Sequence, residues 1–176
     1  MPHIHTGDGQ YDHTISAFVI RTDFEEPKIM LHLHKKLGMY MQFGGHIEID
    51  ESPWQAISHE LKEESGYDMN QLMLLQPPNR IMNLPSVQLH PVPFCYISHA
   101  FNNGHQHTDL SYGFVTDQPP AGAIAEEESQ SVMLFTREEL HSISLDKIYD
   151  NIKEQALFVF GTMLASYEKV PATSFK

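Results

Sequence analysis

The chain has 176 residues, of which 41% are hydrophobic, and this is typical of one globular domain with a sizeable core. Its net charge of −12 argues against broad electrostatic binding to a nucleic acid polymer, so we expect no such partner. A single cysteine excludes an internal disulfide, and no segment resembles a secretory signal or a membrane span. We therefore expect a single-domain cytoplasmic protein with no membrane partner.

The hydrophobic patterns predict a mixed α and β chain that begins with a loose polar arm over residues 1–13. Strands are expected over 14–22 and 28–34, and a helix over 53–65 after a glycine loop. The remaining predicted elements are a strand at 71–75, interrupted strand material at 87–101, a turn at 102–104, strands at 107–117 and 132–135, one helical turn at 136–140 and a long helix at 144–168.

The helix over 53–65 carries start and stop signals in its own sequence. Ser52 is a good N-cap, Pro53 suits the first helical position, and Gln55 completes the spacing of a capping box. Gly66 can take the left-handed conformation that ends many helices. At helical spacing Trp54, Ile57 and Leu61 form an apolar stripe, which we expect to face the core.

Three glutamates share one arc of this helix. Glu60, Glu63 and Glu64 stand three and four residues apart, so their like charges destabilise an exposed helix. A hard divalent cation with oxygen ligands would reverse that cost, which favours a site for magnesium and a phosphate chain. The alternative is a solvated acidic helix face with no ligand.

The stretch GGHIEIDESPWQAISHELKEESGY, residues 44–67, resembles the Nudix box. Gly45 stands at the first glycine of that pattern, Glu51 at the first glutamate, and seven residues follow before the second half. The remaining defining positions are filled by Glu60, Leu61, Glu63, Glu64 and Gly66. One position departs, because His59 stands where the family has arginine, and a histidine there can still reach Glu63, one helical turn away, or Glu51.

The resemblance implies an α/β fold (α+β), an α/β/α sandwich with a central mixed sheet. It implies Mg²⁺ or Mn²⁺ held by Glu60, Glu63, Glu64 and the Gly45 carbonyl, and hydrolysis of a diphosphate linkage in a small molecule. A box glutamate or Glu128 would accept the proton from the attacking water.

Substrate contacts are expected at the glycine loop, from Gly44, Gly45 and His46, because this loop approaches the diphosphate in the family. Cations for the phosphates are few in this acidic chain, and we assign Lys36 and Arg80 to substrate binding.

A second pattern lies further along the chain. His105, His107 and Asp109 alternate, so a strand would point all three to one face. Such a row can ligate a transition metal or hydrogen-bond a phosphate, and the alternative is a structural or surface role.

Three functions remain open from the sequence. The first is a Nudix hydrolase of a nucleoside diphosphate linked to another moiety. The second is a binding module of the same fold that has lost catalysis, since His59 lacks the guanidinium fork of arginine. The third is an isomerase of isoprenoid diphosphates, which would need a catalytic cysteine, and Cys95 lies in an apolar run.

Overall fold

The computed structural model describes residues 9–100, 104–124 and 129–176. The strands are β1 (Tyr11–Arg21), β2 (Lys28–His34), β3 (Tyr40–Met41), β4 (Met73–Gln76), β5 (Cys95–Ala100), β6 (Gln106–Thr116), β7 (Ser129–Phe135) and β8 (Glu168–Pro171). The helices are α1 (Pro53–Ser65), α2 (Arg137–Ser142), α3 (Asp150–Phe158) and α4 (Leu164–Ser166), with a π-turn (Val159–Met163) joining α3 to α4. Single 3-10 turns lie at Met69–Gln71 and Ala172–Ser174.

The described strands form one mixed sheet in the order β3-β2-β1-β6-β4-β8, to which β5 adds beside β6 and β7 beside β2. The strands β1 and β6 run parallel over their whole length. The other strand pairs are antiparallel. The predicted mixed sheet is thereby confirmed.

Each face of the sheet carries its own hydrophobic core. Side chains of β1 point alternately into the two cores. Ile15 and Val19 pack in the core that contains α1, and Phe18 and Ile20 pack in the core that contains α3. The predicted stripe of α1 is confirmed as its buried face, since Trp54, Ile57 and Leu61 are buried in the first core. The sheet therefore lies between α1 and the C-terminal helices, as an α/β/α sandwich requires.

The predicted helix over 144–168 is wrong at both ends. Its first residues join the sheet edge, because the Tyr40 amide donates to the Lys147 carbonyl at 2.7 Å and Ile148 bridges to Tyr40. Its last residue, Glu168, pairs instead with Gln76 of β4. In the part of the chain that the structure describes, no helix combines the length and the apolar character that a bilayer crossing demands.

The sheet also differs from the sequence prediction near the N-terminus and in the middle. β1 begins at Tyr11, so residues 11–13 of the predicted arm belong to the sheet. Strand pairing over the predicted 87–101 segment begins only at Cys95, after Pro91 and Pro93, which have no amide hydrogen to donate. The predicted turn at 102–104 falls mostly on residues outside the described ranges.

Candidate active site

The helix α1 begins and ends where its sequence signals predict. The Ser52 side chain accepts from the Gln55 amide, the Gln55 side chain accepts from the Ser52 amide at 2.8 Å, and Pro53 is the first helical residue. Gly66 closes the helix in the left-handed conformation, with φ of 76°, and its amide donates to the Lys62 carbonyl. These local bonds fix the helical register of the three glutamates.

The glycine loop runs antiparallel to the first half of β1. The Ile15 amide donates to the Gly45 carbonyl at 2.9 Å, and the Ala17 amide donates to Phe43 at 2.8 Å. Gly44 has a φ of 138°, and a Cβ there would overlap the carbonyl oxygen of Ile15. Only glycine allows this close approach of loop and strand.

Two glutamates of α1 meet this loop. The Gly44 amide donates a hydrogen bond of 2.8 Å to Oε2 of Glu64, whose residue is only 4% exposed. A Cβ at Gly45 would overlap the carboxylate of Glu60, so the absence of a side chain there makes room for that carboxylate. The loop and the helix therefore bring the carboxylates of Glu64 and Glu60 against Gly44 and Gly45.

His32 of β2 lies on the other side of Glu64. Its Nδ1 is 3.6 Å from Oε1 of Glu64. Burial, with a smaller effect from the charge of His34, lowers the pKa of His32 to about 4. His32 is therefore neutral near pH 7 and brings no positive charge to the glutamate.

His59 lies between two carboxylates, at the position where the sequence departs from the Nudix box. Its Nδ1 is 3.2 Å from Oε1 of Glu51, and its Nε2 is 3.3 Å from Oε1 of Glu63. Burial lowers the pKa of His59, but the charges of Glu60, Glu63 and Glu51 raise it by more, so the net shift is upward. The imidazole therefore spans the two glutamates that the reach of its side chain predicted.

The donor set suits a hard divalent cation. Glu60, Glu63 and Glu64 offer carboxylate oxygens on one arc of α1, and Gly45, whose carbonyl accepts from the Ile15 amide, lies beside the Glu60 carboxylate. Oxygen ligands of this kind are those that magnesium and manganese take in proteins. The residues present thus fit the metal that the sequence resemblance implied.

Four further side chains form what we call the histidine–aspartate cluster, which consists of Asp12, His46, His105 and His107. One ligand atom from each lies within 4.8 Å of all the others. Burial, with smaller effects from the neighbouring imidazoles, lowers the pKa of His107 to about 4, which leaves that ring neutral near pH 7. Asp12 lies opposite His107 in the β1–β6 ladder, with its side chain on the face that packs against α3.

The predicted row of His105, His107 and Asp109 is divided by this arrangement. The Asp109 carboxylate is held by three hydroxyl groups, since Thr14, Ser16 and Ser111 each donate to it at 2.9 Å. The structure thus brings together His105 and His107 but places Asp109 in a separate hydrogen-bond network.

The model of the NUDIX domain matches residues 12–156 of the chain. The chain belongs to the Nudix family. A solved hydrolase of the NUDIX family from Clostridium perfringens is 28% identical, with 84% of this chain and 95% of that chain covered and a TM-score of 0.69. The comparison with curated proteins found no match.

Two more distant Nudix structures share the fold. The Ap4A hydrolase of C. elegans, in a binary complex, is 17% identical with a TM-score of 0.64, over 88% of this chain and 98% of that one. The NUDIX domain of Shewanella oneidensis NrtR, in complex with ADP ribose, is 15% identical with a TM-score of 0.63, over 88% and 89% of the two chains. Family and fold together make this chain a Nudix pyrophosphohydrolase.

The other predicted residues of this Nudix chain have varied surroundings. Lys36 is exposed in the turn after β2. Arg80 forms an ion pair of 2.6 Å with Glu168 and donates to the Pro77 carbonyl at 2.7 Å, so its guanidinium is held at the β8 edge of the sheet. Glu128 lies outside the described residues, and its role as a base stays a prediction.

Sequence reasoning missed Asp12 and His32. Asp12 fell within the predicted arm, although its polar side chain continues the alternation of Thr14 and Ser16 with Ile15 and Ala17. The approach of His32 to Glu64 depends on how β2 and α1 pack against each other, and no local pattern reports it.

Proposed function

We propose that this Nudix protein hydrolyses a diphosphate linkage in a nucleoside diphosphate joined to another moiety, with Mg²⁺ or Mn²⁺ as cofactor and water as the nucleophile. The observation that carries the proposal is the meeting of the glycine loop with α1, through the Gly44 amide on Glu64 and the open position at Gly45 beside Glu60. A solvated acidic face would not require a loop shaped around its carboxylates.

The chain's own groups have distinct roles in this proposal. Glu60, Glu63, Glu64 and the Gly45 carbonyl would hold the metal, which when bound supplies positive charge to the phosphate oxygens and lowers the pKa of the attacking water. The Gly44 amide and the Glu51–His59–Glu63 contacts orient the carboxylates.

A carboxylate oxygen accepts the proton from water, and this carboxylate belongs to a glutamate of the box or to Glu128. Gly44, Gly45 and Lys36 remain our proposed substrate contacts, and His46 remains one through its backbone, because its side chain lies against Asp12 and His107. Arg80 remains one by prediction alone, because its guanidinium is occupied by Glu168.

A cavity of about 280 Å³ lies next to the box and supports binding of an organic group beside the diphosphate. Its lining combines apolar Ile47, Tyr96 and Leu110 with the carboxylates of Glu48 and Glu51. Such a mixed lining suits a nucleoside or sugar better than an extended polyphosphate. Ap4A and ADP ribose, the compounds named with the C. elegans and S. oneidensis structures, are both adenosine compounds with phosphoanhydride bonds, and we place the substrate in that class.

The alternative of a binding module without catalysis rests on His59. The imidazole contacts both Glu51 and Glu63, so it performs part of the orienting role of the box arginine. The His59→Arg variant separates the two functions: a gain in rate identifies an impaired enzyme, whereas no turnover in either form identifies a module.

The isomerase alternative is disfavoured by the surroundings of Cys95. Burial and the charge of Asp109 raise the pKa of this thiol, which disfavours the thiolate that a catalytic cysteine needs.

The proposal is tested with a panel of diphosphate compounds, including ADP ribose, Ap4A and nucleotide sugars, assayed with Mg²⁺ and with Mn²⁺. Phosphate is measured before and after phosphatase treatment, so that phosphomonoester products are detected. Glu63→Gln should abolish most turnover, while the control Glu154→Gln, at an exposed glutamate of α3, should keep it. Turnover of no compound, or equal turnover by wild type and Glu63→Gln, would contradict the proposal.

A further inference from the structure

The histidine–aspartate cluster lies on the face of the sheet opposite α1, and His46 is its one member from the box sequence. Its members come from three segments that are far apart in the chain: β1, the glycine loop and the start of β6. We propose that this cluster binds one first-row transition metal ion of the zinc class, in a structural site separate from the glutamates of α1.

The spacing of the four ligand atoms fits a tetrahedral ion. Bonds of about 2.0–2.2 Å to zinc place neighbouring tetrahedral donors about 3.3–3.6 Å apart. Oδ2 of Asp12 lies 3.1 Å from Nε2 of His105 and 3.6 Å from Nε2 of His46. The Nε2 atoms of His46 and His107 are 3.4 Å apart. The other three pairs of ligand atoms lie within 4.8 Å, so side-chain adjustments of at most about 1.5 Å would complete the site.

The chemistry of the donors selects the ion. Three imidazoles and one carboxylate form a nitrogen-rich set that favours zinc and its first-row neighbours, whereas magnesium prefers oxygen ligands alone. The glutamates of α1 provide such an all-oxygen set. We therefore expect zinc to prefer the histidine–aspartate cluster and magnesium to prefer the glutamates of α1. Four protein donors also leave no open position on a tetrahedral ion, and this is typical of a structural site.

The charge of the cluster argues for a cation and against a phosphate. Asp12 is only 1% exposed and lies in contact with His46 and His105. A carboxylate at that depth repels an anion. A cation at this point would offset the burial of the aspartate charge.

Binding of an ion here would fasten the glycine loop to the sheet. His46 directly follows Gly45, and its side chain lies against Asp12 and His107 on the face opposite the box helix. The ion would hold the glycine loop on this face, while Glu60 and Glu64 contact the same loop from the side of α1. Because the unfolded chain lacks this arrangement, zinc should also stabilise the native state.

The competing account is a hydrogen-bonded imidazole network with no ion, in which His105 donates to Asp12 and His46 pairs with His107. Both accounts fit the distances, but only the metal site predicts a saturable stoichiometry and a selective response to zinc.

The test uses the full chain after treatment with a chelator. Zinc and magnesium are titrated by calorimetry, and cobalt is added as a spectroscopic probe, because tetrahedral cobalt absorbs visible light strongly. We expect one tightly bound zinc per chain, a tetrahedral cobalt spectrum and a rise in the thermal midpoint with zinc.

The zinc affinities of four variants show which residues bind the ion. Asp12→Asn should weaken zinc binding by about 100-fold or more, since it removes a direct ligand. His46→Gln repeats this test at the most exposed member, should Asp12→Asn fail to fold. Glu64→Gln should leave the zinc affinity unchanged, which separates this site from the box. His141→Gln is the matched control, because it removes an exposed histidine of α2.

Unchanged zinc affinity in His46→Gln and in every folded Asp12 variant would overturn the proposal, as would loss of zinc binding in Glu64→Gln. The double variant His3→Gln/His5→Gln tests the N-terminal histidines, and zinc binding lost only in that variant would also overturn it. An octahedral cobalt spectrum in the wild type would exclude the tetrahedral site.

Discussion

The Gly44 amide donates a hydrogen bond of 2.8 Å to Oε2 of Glu64, and this bond joins the glycine loop to the box helix. The positive φ of Gly44, which glycine favours, therefore helps to orient the Glu64 carboxylate. The two adjacent glycines nevertheless have different neighbours, since Gly44 lies against backbone and Gly45 against a side chain. This difference yields opposite predictions for two neighbouring alanine substitutions.

Gly45→Ala should impair the site without unfolding the protein. The new Cβ would overlap the Glu60 carboxylate, which is the end of a flexible side chain and can move away. We expect metal affinity or turnover to fall by about 10–100-fold, with a thermal midpoint near that of the wild type. Calorimetric magnesium titration and thermal unfolding measure the two effects.

Gly44→Ala should instead destabilise the fold. Its Cβ would overlap the backbone of Ile15 at a φ of 138°, so the loop itself must move away from β1. Gly161→Ala, in the π-turn, is the control, because its Cβ meets only the end of the Arg137 side chain. A Gly44→Ala protein as stable as the control would show that the loop is not held against β1 as described.

His59→Arg should change how stability depends on pH. The folded pKa of His59 is raised above its ordinary 6.5, so its charged contacts contribute fully below that pH and are lost as pH rises through the folded pKa. Arginine stays charged throughout. In chelator-treated protein the stability advantage of His59→Arg over wild type should therefore grow between about pH 6 and about pH 9. An advantage that stays constant over this range, measured by urea unfolding, would contradict the assignment of charge to His59.

His32 should make the metal-free protein sensitive to acid. Its pKa is about 4 in the folded chain and 6.5 in the reference state, so the unfolded state binds the proton first and stability falls as pH drops below 6.5. The linked loss is about 2 kcal/mol at about pH 5. His32→Gln, which cannot titrate there, should show a smaller loss between neutral pH and about pH 5 in urea unfolding. Equal acid sensitivity of the two proteins would show that His32 titrates with an ordinary pKa.

The helix α1 could be predicted from sequence because its determinants are local. Ser52, Gln55 and Gly66 cap it with bonds that span at most four residues, and the box spacing assigns Glu60 and Glu64 without knowledge of the fold. The contacts of His59 were predicted for the same reason, because Glu63 is one helical turn away.

The histidine–aspartate cluster could not be predicted in full because its members meet through long-range pairing. Asp12 faces His107 only because β1 and β6 run parallel, and these strands lie far apart in the chain. The C-terminal helix was misjudged for a similar reason. Ile148 keeps the helical spacing before its first residue, but Lys147 and Glu168 pair with strands instead.

The central claim is that the glutamates of α1 and the glycine loop support metal-dependent attack of water at phosphorus. The most direct measurement is turnover of the best diphosphate substrate in water enriched in the heavy oxygen isotope, with mass analysis of the products, for wild type and Glu64→Gln. We predict magnesium-dependent turnover with the heavy oxygen on a phosphate product, and a loss of about 100-fold or more in Glu64→Gln. Heavy oxygen absent from phosphate, or wild-type turnover by Glu64→Gln, would contradict the account.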